Sequence, residues 1–350
     1  MGDPTGIGPE IIVRAWLDPA VHSVCRPIAI GRPSVFRRAI KMIGANLAVV
    51  EVDSISRRSA LESIARSSDG FSPPPLLCFA AGSEEADEAI HPCIDARGGA
   101  AAHDALVVAA KACLASDLDA IVTAPLHKVA LHQAGHDWPG HTELLAHLCG
   151  VDQYAMMLYL PPGKTDRGGK AGLGVVHVTL HMALREVFQH LSVESIFEKI
   201  ELAQIAFTKL RKSLGLPPSP ALAVAALNPH AGEGGLFGDE ETRIIAPAVQ
   251  RAIACNWNVV GPLSVDTLMP VAVSGQYDAV IAMYHDQGHI ALKLLDMFDA
   301  VNITLGIPII RTSVAHGTAH DIAWQGRARS SGMVQAIVTA ARLGAKSDDV

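Results

Sequence analysis

The sequence predicts an open α/β fold on a mostly parallel sheet, and three observations carry that prediction. Short apolar, β-branched runs alternate with longer segments of helical period, and no repeat recurs at a fixed spacing. The 350 residues are 49% hydrophobic and 18% charged, enough to bury one large core or two fused ones. The alternation reads as βαβ units.

In chain order, Gly2-Asp3-Pro4-Thr5-Gly6-Ile7-Gly8-Pro9-Glu10 is a Gly-rich turn entering a helix, with Pro9 near its first position. The helical period places that helix over Gly8 to Leu17. Strands are expected over Pro27 to Gly31 and Leu47 to Val52, with a helix over Ser34 to Met42 between them. Ser67 to Pro75 is rich in Ser and Pro and reads as a loop. A helix over Ala101 to Ala115 then precedes a strand over Ala120 to Thr123, and a helix over Thr142 to Cys149 precedes a strand over Ala155 to Leu160. Pro161 to Gly174 is Gly-rich, carries Lys164, Arg167 and Lys170, and lies between two strands, which favours an exposed hairpin or flap. Strands over Gly174 to Leu180, Ala221 to Leu227, Ala279 to Tyr284 and Asn302 to Leu305 follow, with helices over Val193 to Leu214, Asp239 to Cys255 and Gly332 to Leu343. No flexible linker divides the chain, so composition places no domain boundary.

Composition also excludes classes of partner. A net charge of -7 argues against a polyanion-binding surface, which needs clustered Lys and Arg; a bound phosphate should be small and held by a few local cations. Cys25, Cys78, Cys93, Cys113, Cys149 and Cys255 are scattered singly without a CxxC pair, as reduced cytosolic thiols are. No run of about eighteen apolar residues exists, and the first residues lack the pattern of a signal peptide, so the expected location is cytoplasmic. No membrane or nucleic-acid partner is expected.

The polar residues are informative by position. His181, His230 and His285 each follow closely on an apolar strand. In an open α/β sheet ligands bind beyond the carboxyl ends of strands, so residues placed there converge from distant parts of the chain. Singly, each is most simply a hydrogen-bonded loop residue. Together, with Gly232, Gly234, Gly235 and Glu233 around one and Asp286 beside another, they point to a divalent-metal site with open positions for catalysis. Gly140-His141-Thr142-Glu143 opens a helix where free N–H groups favour an anion, and Thr142 is placed as N-cap or ligand donor. Lys293, Asn302 and Arg311 border apolar runs and must face water or a ligand. Lys128, in Thr123-Ala124-Pro125-Leu126-His127-Lys128, is a cation at a strand end, suited to substrate or to proton transfer, although an exposed loop Lys is the plainer reading. GxGxxG does not occur after a strand, which leaves a Rossmann reading unsupported.

GDPTGIGPE, TAPLHK, GHTELLA, LNPHAGEGG, GPLSVDT, YHDQG and VNITLGIPIIRTSVAHGTA, in this order, resemble the 4-hydroxythreonine-4-phosphate dehydrogenase family of vitamin B6 synthesis, with its threonate and erythronate 4-phosphate dehydrogenase paralogues. The resemblance spans nearly the whole chain. It implies an isocitrate/isopropylmalate dehydrogenase-like α/β/α subunit of two intertwined subdomains with the active site in the cleft between them. It further implies a homodimer with a shared site, and NAD (or NADP) bound without the Rossmann motif. Carried over by motif, the metal ligands are His181, His230 and His285, one of them from the partner subunit. Zinc, magnesium, cobalt and manganese are the expected ions. His141, Thr142, Lys293, Asn302 and Arg311 would bind substrate; Asp266 falls where the family has a site carboxylate, and Lys128 and Asp266 are the two candidates for the catalytic base, which the sequence does not single out.

The implied reaction oxidises the C3 alcohol of 4-phosphooxy-L-threonine to a 3-keto acid, which decarboxylates to 3-amino-2-oxopropyl phosphate. Three departures stand out. The family has a strand before the GDP turn where this chain begins; the Gly163 to Gly174 segment is longer than usual; and Ala183 stands where the biosynthetic enzymes have Pro. The last of these, with Gly135-His136-Asp137-Trp138-Pro139, leans toward paralogues that oxidise threonate or erythronate 4-phosphate or a carboxylated cis-dihydrodiol. A phosphate acyltransferase, needing neither metal nor NAD, is the rival from another class; a metal-dependent hydrolase or a non-catalytic metal binder is a third reading.

Overall fold

The computed structural model describes residues 1–55, 73–89, 92–163 and 169–345. Its strands are β1 (Ala29–Gly31), β2 (Val49–Glu51), β3 (Leu76–Ala80), β4 (Ala120–Thr123), β5 (Ala155–Leu160), β6 (Leu173–His177), β7 (Leu222–Ala225), β8 (Val259–Leu263), β9 (Ala279–Ala282), β10 (Val301–Leu305) and β11 (Ile310–Val314). The chain forms two compact units, the first of Met1–Asp152 with Ile307–Gly344 and the second built on Gln153–Gly306.

The first unit holds a parallel sheet of order β1-β3-β2 and a parallel β4–β11 pair that sets Arg311 opposite Ile121. One core joins Val13, Trp16, Phe36, Leu76 and Leu77; another joins Leu106, Ile121, Leu144 and Leu145. As the Gly-rich turn foretold, the first helix runs Gly8–Trp16 with Pro in its opening positions. The helix expected from Ala101 begins earlier, at Ala96, because the Asp95 carboxylate accepts the Arg97 N–H at 2.9 Å and caps it.

The second unit has the order β10-β5-β6-β9-β7-β8. β6, β9, β7 and β8 pair in parallel, while β5 pairs antiparallel with both β6 and β10. The β5–β6 pairing, with Leu160 opposite Leu173, makes their connection a hairpin as expected; residues 164–168 of it lie outside the described residues, as do residues 67–72 of the expected Ser/Pro loop. Tyr159, Met157, Leu173 and Phe207 are fully buried, Phe207 meeting Tyr159 edge-on at 5.9 Å. The helix Val193–Ser213 starts where the period placed it, because Ser192 and Ser195 cap each other's backbone N–H at 3.0 and 2.9 Å.

Three strands escaped the sequence reading, and two helical expectations need correction. β3 is an apolar run, Leu76–Ala80, placed directly behind the Pro cluster of the expected loop, whereas β8 contains Gly261-Pro262 and β11 is mostly polar. The helix read over Asp239 to Cys255 divides into a wide π turn, Glu241–Ile245, and a helix, Ala246–Ala254. Pro247 supplies no N–H and its ring disturbs the preceding turn, which is the physical reason for the widening. Thr142 is not an N-cap. The helix His141–Cys149 is capped by Gly140, which offers no side chain, and Thr142 lies inside the first turn.

Candidate active site

In the second unit, β6 ends at His177 and the chain turns through Thr179 and Leu180 to reach His181. Next to it, β9 runs into Met283 and Tyr284, and His285 opens a helix, His285–Leu295, that the sequence reading had not placed. Gln287 ties that helix to the strand ends, accepting the Met283 N–H at 2.7 Å and donating to the Ala226 carbonyl at 2.8 Å. Gly288 lets the helix lie against β6, since a Cβ there would come within 2.7 Å of His177 Nε2.

The rings of His181 and His285 are thereby brought to 5.7 Å between centroids. Two imidazoles bound tetrahedrally to one ion at about 2.0–2.1 Å set their centroids about 5 Å apart, so this spacing suits a shared cation. His285 Nδ1 lies 2.7 Å from an Asp286 carboxylate oxygen, which leaves Nε2 to face a ligand. Leu180, His181, Met182, Tyr284, His285 and Asp286 line a cavity of about 350 Å³, within the size range of small-molecule sites.

His230 stands apart from that pair within the chain. Its ring meets Phe237 edge-on at 6.4 Å, and its Nδ1 lies 3.2 Å from a Glu233 oxygen, the same carboxylate-on-Nδ1 arrangement as at His285. Among the described residues no three His, Cys, Asp or Glu side chains of one chain form a metal cage. The turn carrying His230 is left-handed at five successive residues: His230, Ala231, Gly232, Glu233 and Gly234 have φ of 52, 55, 77, 45 and 66°. Non-glycine residues in that region cost about 1–2 kcal/mol each. Glu241 holds the turn's start, accepting the Leu227 and Asn228 N–H groups at 2.8 and 2.7 Å. Burial alone would raise its carboxyl, but the bonds from Asn228 and Leu227 hold it below the usual range.

Asp266 begins a helix, Val265–Val273, and is exposed. The Ser264 hydroxyl, donating at 2.7 Å, together with the Thr267 N–H and nearby His230 keeps its carboxyl below the usual range. Lys293 and His289 follow His285 at intervals of four and so share its helix face. Asn302, on β10, has a buried Oδ1 without a hydrogen-bond partner among the described residues. A buried amide oxygen of that kind needs a donor, which no described residue supplies.

In the first unit, Arg311 is buried on β11 and its guanidinium donates to the Thr123 hydroxyl on β4 at 2.7 and 3.2 Å. Burial lowers its pKa to about 10, against a small opposing effect of Glu143. Burial and the Arg311 charge hold His141 well below its ordinary range, so the ring is neutral. Lys128 is exposed at the first position of the helix Lys128–Gln133; a Cβ on Gly140 would lie 3.9 Å from Lys128 Cε and 3.2 Å from Glu143 Oε2. Gly140 gives the His141–Cys149 helix no side-chain cap, and both Lys128 and the Glu143 carboxylate lie beside that helix start.

His177 and His289, both buried, were missed in the sequence, as were Gln287, Glu241 and Thr123. The spacing of four between His285 and His289 was a usable signal once the helix was known.

A sequence profile described as pyridoxal phosphate biosynthetic protein PdxA matches residues 23–340. A 4-hydroxythreonine-4-phosphate dehydrogenase of Geobacter metallireducens is 44% identical over 345 residues, 98% of this chain and 94% of the relative. A D-threonate 4-phosphate dehydrogenase of Salmonella typhimurium is 43% identical over 344 residues, 98% and 97% of the two chains. Among solved structures, a 4-hydroxythreonine-4-phosphate dehydrogenase from Klebsiella pneumoniae superposes with a TM-score of 0.81 at 41% identity, covering 99% of this chain and 98% of that one. A terephthalate 1,2-cis-dihydrodiol dehydrogenase from Burkholderia xenovorans gives 0.61 at 27% identity, covering 97% and 96%.

Proposed function

Since the chain belongs to the pyridoxal phosphate biosynthetic protein PdxA family of dehydrogenases, we propose that it catalyses the NAD-dependent, divalent-metal-assisted oxidation of 4-phosphooxy-L-threonine. The product 3-keto acid decarboxylates to 3-amino-2-oxopropyl phosphate. The observation that carries this reading is the His181–His285 pair, spaced for one cation at a cavity of about 350 Å³ and backed by Asp286.

His181, His285 and His230 would hold the ion, with His230 supplied by a second copy of the chain. Exposed Leu184 and Phe188 on one helix, and Ile290 and Leu294 on the helix of His285, support such a homodimer, since exposed apolar groups beside a site favour burial against a partner. A divalent ion held there would supply Lewis acidity to the alcohol. NAD, with NADP as the cofactor to compare, accepts the hydride when bound.

The chain's own residues account for the rest. Arg311, His141, Thr142, Lys293 and Asn302 bind the substrate, the buried guanidinium and the bare helix start suiting its phosphate. Two groups compete for the proton that leaves the C3 hydroxyl: Asp266, ionised beside His230, and Lys128. Once C3 is a ketone, the C1–C2 bond breaks, carbon dioxide departs, and the bonding electrons pass to C2 and the C3 oxygen. Leu180 and Met182 line the cavity beside that charge.

A second reading has direct support, because the 43% identical Salmonella relative is named for D-threonate 4-phosphate. Parallel assays of NAD reduction on 4-phosphooxy-L-threonine, D-threonate 4-phosphate and D-erythronate 4-phosphate separate the two. A preference above about tenfold for the amino-free acids would overturn the first substrate, and activity that survives complete chelation would remove the metal. The six free cysteines suit a cytoplasmic enzyme, and among the described residues no helix is long and apolar enough to cross a membrane.

A further inference from the structure

Behind His285 lies a second pair of imidazoles that the reaction above does not use. His289 sits one turn further along the same helix, and its ring stacks on that of His285 with centroids 3.9 Å apart and planes 9° from parallel. On its other side, His289 Nδ1 is 3.0 Å from His177 Nε2, a hydrogen bond between buried side chains. His177 is 1% exposed and His289 7%. The strand and helix that bring them together meet at Gly288, where any side chain would strike His177 and Val175. His285 is therefore confined twice: Asp286 fixes which nitrogen faces outward, and the His289 plate limits rotation of the ring about its own bond. His289 is in turn fixed by His177.

We infer that His289, anchored by His177, is a positioning residue that sets the ring plane of His285 for metal binding. The inference rests on His285 being a ligand, as proposed above. An aliphatic side chain at position 289 would fill the space and exclude water, but it would offer neither a flat ring to the imidazole nor a partner to His177. Loss of an outer partner of a metal-bound histidine typically costs 10–100-fold in metal affinity. His289→Ala should fall in that range.

Cobalt(II) alone, titrated into chelator-stripped full-length protein, gives the dissociation constant from calorimetry and the ligand geometry from the visible d–d bands. His289→Ala is expected to weaken cobalt binding about 10–100-fold and shift those bands, while thermal unfolding of the metal-free variant checks that the fold survives. His289→Phe keeps a stacking plate without the bond to His177 and should recover most of the lost affinity. His285→Ala is the control for the parent reading: if it leaves cobalt binding unchanged, His285 is not a ligand and that reading fails. If His285→Ala abolishes binding while folded His289→Ala keeps wild-type affinity and spectrum, the positioning role alone is overturned. If His289→Ala does not fold, His289→Phe and His289→Leu decide: equal affinity in both would overturn the role of the ring.

Discussion

Replacing Arg311 by Met separates the two consequences of burying a cation. The side chain is 2% exposed, and burial lowers its pKa from 12.5 to about 10, which corresponds to about 3 kcal/mol carried by the charged, unliganded protein. Its bonds to the Thr123 hydroxyl at 2.7 and 3.2 Å return part of that, about 1–2 kcal/mol. Arg311→Met removes the charge together with its contacts and leaves the buried Thr123 hydroxyl without this donor, so the unliganded variant should lie between wild-type stability and about 2 kcal/mol above it, with a rise of about 2–4 °C in Tm for each kcal/mol. The same change removes a charge-assisted contact to phosphate worth about 1.5–3 kcal/mol, so KM for the phosphorylated acid should rise about 10–150-fold. Differential scanning fluorimetry without ligand and initial-rate kinetics at saturating NAD measure the two effects. An unchanged KM removes Arg311 from the phosphate seat; a variant less stable than wild type refutes the argument that this charge is held at a cost to the fold.

Complementation tests the shared site: His181→Ala and His230→Ala proteins, each inactive alone, should regain activity when mixed and re-dimerised, because one site per mixed dimer keeps every imidazole. No recovery despite proven subunit exchange would place all three ligands in one chain or dismiss one of them. For proton transfer, loss of the accepting group should lower kcat about 10²–10⁴-fold and erase a limb of the pH profile, so Lys128→Met and Asp266→Asn can be compared directly; two variants with normal kcat would exclude both. In metal-free protein, burial first and the neighbouring His289 second lower His177 from 6.5 to about 3. The unfolded chain then takes up a proton near pH 6.5 that the folded chain refuses, so this stability is present above that pH and drains below it. Between pH 7 and 5 the loss from His177 is about 2 kcal/mol. Urea unfolding at both pH values should show that His177→Phe lacks this share of the drop; equal drops in the two proteins would contradict it.

Much of the layout was visible before any coordinates, because strand-end position is written locally. Val175 to Leu180, Ala223 to Leu227 and Val280 to Tyr284 are apolar runs, and each is followed within a few residues by a histidine of the candidate site. The helix of His285 was hidden by a polar opening and by Gly288, whose value lies in contact with β6 and not in helix propensity. His177 reads as one more inward residue of a strand. Its partner His289 is 112 positions away, and a tertiary hydrogen bond leaves no local period. The same applies to Glu241, which looks like a surface carboxylate until the Asn228 turn closes on it. The mistaken cap at Thr142 came from residue preference alone; Gly140 took that place, and it offers no side chain.

The left-handed turn at His230, Ala231 and Glu233 sets a limit for anyone improving this protein in the laboratory. Selection for heat resistance alone will reward glycine at these positions, each replacement relaxing the backbone by something on the order of 1 kcal/mol. Ala231 can be surrendered with little chemical loss. Surrendering His230 or Glu233 would give a hardier chain that lacks a proposed metal ligand or the carboxylate beside it, so a thermostability screen needs a metal-dependent readout beside it.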